Sequence, residues 1–122
     1  MDIFGEAVRA FPHGAKLAGT GYTIKGLGRR LGEDAIVCLV PNMEDPTKPS
    51  QKGFTGSELR FAYHQLSNSG EFGRAWFNSE MKECAKGAPC NFLAIGAVFV
   101  GLNLAEKKHG LFSLRRATQG NE

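Results

Sequence analysis

The stretch that decides the fold is Ala88 to Ala105, APCNFLAIGAVFVGLNLA, which carries no charge and runs straight into Glu106-Lys107-Lys108-His109-Gly110. A segment this apolar has to be buried, so it marks the core against which the rest of the chain packs. Gly, Asn and Pro interrupt it, and it is short for a membrane span. Read as a strand, it places Leu93, Ile95, Ala97 and Phe99 on one face. Read as a helix capped by Asn91, it aligns Phe92, Ile95, Phe99 and Leu102. Periodicity does not separate the two. The helix is preferred here because Asn91 stands where a cap is needed just after Pro89, and because two short-linked helices precede it.

Those preceding helices are signalled by caps. Thr55-Gly56-Ser57-Glu58 has the form of a capping box, in which a hydroxyl and a carboxylate satisfy orphan amides reciprocally. The helix it opens carries Leu59, Ala62, Tyr63 and Leu66 on one face. Asn68-Ser69-Gly70-Glu71 repeats the pattern and predicts a second helix with Phe72, Ala75, Trp76 and Met81 to Cys84 on its apolar side. Gly87 and Pro89 end it. Beyond the uncharged segment, Leu104–Glu106 and Leu111–Leu114 flank the basic turn and predict a hairpin. The tail from Thr118 to Glu122 is expected to fray.

Upstream, Asp2 to Phe11 predicts a short amphipathic helix stopped by Pro12 and Gly14. Tyr22, Ile24 and Leu27 alternate with polar residues, and Ala35 to Val40 is a compact β-branched run. The turn-rich Gly28–Asp34 between them predicts a β-hairpin whose second strand is buried on both faces. Asn42 to Gly53 reads as a long loop. The fold class expected is therefore α+β in one domain spanning residues 1–122: an N-terminal helix and β-hairpin, then three helices and a C-terminal β-hairpin.

The order helix, helix, helix, hairpin over Thr55 to Arg116 resembles a winged helix-turn-helix in topology, with no sequence signature behind it. In that fold class the third helix often enters the major groove and the hairpin touches the backbone. Here Phe92 to Leu102 offers no side chain for base edges, so reading of sequence is not expected. The hairpin is better supplied. Lys107 and Lys108 near its turn and Arg115 and Arg116 at its end suit phosphate, with Arg29 and Arg30 on the first hairpin as possible helpers.

Charge and composition bound these readings. Net charge is +3 over 122 residues, mildly basic and below the footprint of a dedicated nucleic-acid binder. Three cysteines, Cys38, Cys84 and Cys90, and the lack of a signal-peptide pattern lead to the expectation of a cytoplasmic protein with reduced thiols. No metal-ligand spacing, P-loop or dinucleotide fingerprint occurs, so no metal or cofactor is expected. His13, His64 and His109 have no nucleophile at a recognisable spacing, and a Cys38–His64 pair is the nearest thing to one.

Three functions follow. The first is a small non-enzymatic binding module that contacts nucleic-acid backbone through Lys107, Lys108, Arg115, Arg116, Arg29 and Arg30. The second is a protein-interaction or homodimerising module using Trp76 and Phe77 and the apolar segment, with no membrane involvement. A small enzyme built on His13 or His64 ranks third.

Overall fold

The computed structural model describes residues 1–115; Arg116 and the tail Thr118–Glu122 lie outside the described residues. The chain is α+β, with helices and two antiparallel sheets. It begins with α1 (Ile3–Ala10), where Asp2 caps the helix by accepting from the Gly5 amide and Ile3 and Ala7 turn inward. The first sheet has the order β1 (Lys16–Leu17), β2 (Tyr22–Arg30), β3 (Glu33–Val40), β4 (Ser50–Thr55). β2 and β3 form the expected hairpin. Its two-residue turn, Leu31-Gly32, holds φ of 53° and 77°, the doubly left-handed geometry that matches strand twist.

Two details of this half differ from the sequence reading. The supposed loop Asn42–Gly53 closes into β4, which the polar run Ser50-Gln51-Lys52-Gly53 conceals because it makes an edge strand with little apolar alternation. β3 is buried on both faces only at Ala35-Ile36. Beyond them Cys38 points into the core, while Val37 and Leu39 are half-exposed on the other face.

The capping box forms as read. Thr55 Oγ1 accepts from the Glu58 amide, Glu58 Oε1 accepts from the Thr55 amide, and α2 (Gly56–Ser69) follows. The second box does not form. Gly70 instead closes α2 in a left-handed conformation, and the chain enters a short strand, β5 (Glu71–Phe72). Ser69 Oγ accepts from the Glu71 amide at the end of α2 rather than opening a new helix. The expected second helix is two: α3 (Arg74–Glu80) and α4 (Lys82–Gly87), broken at Met81.

The uncharged segment is a helix, α5 (Asn91–Gly101), and nearly every side chain on it is buried. Asn91 is not its cap. It is the first helical residue, 1% exposed, and Nδ2 donates to the Gly53 carbonyl at 2.8 Å and to Cys84 Sγ at 3.2 Å. Asn91 thus ties α5 to β4 and α4, a use for a buried amide that needs partners wherever it sits. The C-terminal hairpin, β6 (Ala105–Lys108) and β7 (Leu111–Leu114), turns through His109-Gly110, and β5 joins it in the order β5-β7-β6. α5 touches both sheets, against β1 and β4 on one side and β6 on the other. At the centre Phe72 stands within 5.0–6.2 Å of the rings of Trp76, Phe77, Phe92, Phe99 and Phe112.

Candidate functional site

The C-terminal hairpin sets its two lysines on opposite faces, because successive strand residues alternate. Lys107 pairs in register with Phe112 and holds its Nζ 5.8 Å from that ring's centroid. Lys108 points the other way, 3.4 Å from the Glu106 carboxylate. Arg115 donates to Asn103 Oδ1 at 3.0 Å and leaves its charge without a carboxylate among the described residues.

Arg29 and Arg30 are placed elsewhere and neutralised. Arg29 pairs with Asp34 at 2.8 Å and donates to the Gly32 carbonyl. Arg30 forms a partly buried ion pair with Glu58, the capping-box carboxylate. Both sit at the far end of β2, whereas Lys107 shares a cavity with Ala18, Gly19 and Thr20, just ahead of the start of β2. About 25 Å of extended strand separates the two groups. The two basic hairpins therefore do not form one surface.

Two other cations, on elements outside the hairpin, carried no signal in the sequence pattern. Arg74, on α3, donates to the Pro89 carbonyl at 2.8 Å and lies 4.6 Å over the ring of Phe92. Lys52, on β4, donates to the Gly87 carbonyl at 3.4 Å. Both therefore grip the loop that leads into α5. Phe92 is 5.3 Å from Phe112, the ring beneath Lys107. Lys52 and Arg74 thus meet at the loop before α5 from two separate elements, while Lys107 lies along α5 beside Leu93, Ala97 and Val100. Among the described residues none of them has an ion-pair partner. The thiol of Cys90 senses this field: burial pushes it up, while Lys52 and Arg74 pull the other way.

The remaining sequence-selected groups fall outside this crescent. Phe77 is 0% exposed and belongs to the core, so it offers a partner no surface. Trp76 is half-buried and stacks on Phe61 at 5.2 Å. His13 is held by the Lys25 carbonyl at 2.7 Å, His64 lies beside Asn68, and His109 is in the hairpin turn. None of the three lines the cavities by Phe61, Arg60 or Lys107. Cys38 and Cys84 are buried thiols pushed up to about 12 and about 11 by burial, so both stay protonated at neutral pH. No helix among the described residues is long and apolar enough to cross a membrane.

No protein family, curated protein or solved structure matches the chain. Function has to be read from the site itself.

Proposed function

We propose that the chain is a binding module that contacts nucleic-acid backbone, non-enzymatically, through Lys52, Arg74, Lys107 and Arg115. The observation that carries this reading is that Lys52 from β4 and Arg74 from α3 meet at the loop before α5 with no carboxylate partner among the described residues, and that Lys107 on β6 has none either. Element order supports it. Helix α2, strand β5, the α3–α4 pair, helix α5 and the β6–β7 hairpin, with sheet order β5-β7-β6, follow the order of a winged helix.

The chemistry fits phosphate. Arg74 and Lys52 are held by backbone carbonyls rather than carboxylates, so their positions are fixed while their charges remain available. Pre-organised cations lose less side-chain freedom on binding. Since α5 is buried on nearly all sides, it cannot enter a groove to reach base edges, and binding is expected to be independent of sequence.

Fluorescence anisotropy with labelled duplex DNA and single-stranded RNA, titrated across salt, tests the proposal. Four phosphate contacts on a duplex give a slope of log affinity against log salt of about −3.6. Replacing Lys52, Arg74, Lys107 and Arg115 together by Gln flattens the slope and abolishes binding at physiological salt. Replacing Arg29 and Lys108, whose charges are already paired, leaves the slope unchanged. Equal affinity of the fourfold variant and the wild type overturns the reading.

A further inference from the structure

Phe61 is out of place on its helix. Four other large apolar side chains among the described residues are more exposed: Met1 at the terminus, Leu27 within β2, Leu31 in a turn and Met43 in a loop. Phe61 alone lies on a helix, 48% exposed, and stacks on the ring of Trp76. Beside it α2, α3 and α4 enclose an open cavity of about 260 Å³ whose floor is Phe61, Met81 and Cys84. The rim is acidic: Glu58, Glu80 and Glu83. Arg30 neutralises Glu58. Glu80 accepts only from Ser79 Oγ at 3.3 Å, and neither Glu80 nor Glu83 has an ion-pair partner among the described residues.

We propose that this groove is a docking site for a basic amphipathic segment of a partner protein, one apolar side chain entering the cavity while flanking lysines or arginines meet Glu80 and Glu83. The volume lies just below the roughly 300 Å³ at which small-molecule pockets begin, and it suits a single anchor side chain. An exposed aromatic pair is the kind of surface on which such anchors concentrate binding energy, and a rim of one charge sign selects the partner of the other sign. An acidic partner or a second copy of this chain presenting the same face would set carboxylate against carboxylate. The groove uses none of the four cations of the proposed nucleic-acid surface, so each stands or falls alone.

The test uses two fluorescein-labelled amphipathic helical peptides of one pattern, one of Leu and Lys and the other of Leu and Glu. Anisotropy measures binding to the full chain. Emission of Trp76, the chain's one tryptophan, reports whether the groove is the site. The Leu/Lys peptide binds saturably and changes the Trp76 emission, and the Leu/Glu peptide does neither. Phe61→Ala weakens binding by about 30-fold, the loss expected of a central anchor. Glu80→Gln with Glu83→Gln, at two exposed rim positions, weakens it by about fivefold. Lys52→Gln with Arg74→Gln leaves peptide binding intact. Failure of the Leu/Lys peptide to bind, equal binding of both peptides, or undiminished binding to Phe61→Ala with its circular dichroism unchanged overturns the proposal. A concentration-dependent dimer that Phe61→Ala converts to monomer overturns it too, by giving the groove a different occupant.

Discussion

Gly96 lies in the middle of α5, where glycine is a poor choice for helix stability, and its replacement by Ala measures how tightly α5 packs against β7. A Cβ built on Gly96 would stand 2.1 Å from Cε2 and Cζ of Phe112. Carbon atoms rest at about 3.5–4.0 Å, so the ring would have to retreat by about 1.5 Å. It has little room. Phe112 is 2% exposed, with Phe92 at 5.3 Å and Phe72 at 6.2 Å between centroids. Overpacking of this kind costs about 1–3 kcal/mol, while Ala in place of Gly returns about 1 kcal/mol of helix propensity. An approach this close to a buried ring belongs to the upper part of that range, about 2–3 kcal/mol, so Gly96→Ala is expected to lose about 1–2 kcal/mol net. Gly87 is the control. It is helical, and a Cβ there meets nothing within 4 Å, so Gly87→Ala should be neutral or stabilising by up to about 1 kcal/mol. Urea unfolding followed by Trp76 fluorescence and far-ultraviolet circular dichroism should show the Gly96→Ala midpoint lowered by about 1 M at unchanged slope. Adding Phe112→Leu should restore part of the loss, because the two sites share one space. A Gly96→Ala midpoint at or above that of the wild type would refute the reasoning, since it would mean that the Phe112 ring is free to move.

Three further predictions concern α2 and the thiols. Thr55 is 1% exposed and caps α2, so Thr55→Ala should cost about 1 kcal/mol and Thr55→Ser should recover most of it, read by the same unfolding assay. The folded-state pKa values of Cys38 and Cys84 lie above the ordinary 9.0, at about 12 and about 11. The unfolded chain therefore releases these protons first, and stability that is complete below pH 9 should decline between pH 9 and pH 12. Cys38→Val should make that decline shallower, and an unaltered pH profile would contradict the assignment. In the native state at pH 8 a thiol reagent should modify the half-buried Cys90 well before the two buried thiols.

The comparison of sequence with structure turns on the range over which each signal acts. Cap chemistry is local, and where the chemistry is unambiguous it was legible: Thr55 and Glu58 lie three residues apart and satisfy each other without help from the rest of the chain. The same local code misled at Asn68-Ser69-Gly70-Glu71. A polar cluster with Gly serves the end of a helix as well as its start, and the direction was set by Phe72, drawn into an aromatic core assembled from distant segments. Met81, where α3 and α4 part, and β4, with its polar run, carried no pattern to read.

The site was less legible than the fold. Lys107 and Arg115 were picked out because they stand near a predicted turn, yet Lys52 and Arg74 were not, since their partners are the carbonyls of Gly87 and Pro89, 35 and 15 residues away. Arg30 looked available and is occupied by Glu58, 28 residues on. Apolar patterning and capping act within a few residues, so the sequence by itself determined the α+β class, the box that opens α2, both hairpins and the burial of the centre of the uncharged segment, Phe92 to Phe99. Which charges remain unpaired, and which aromatic ring is left at the surface, depends on contacts between segments far apart in the chain. Only the tertiary structure decided those, because a charge is neutralised by whatever folds within a few ångströms of it and not by its neighbours in sequence.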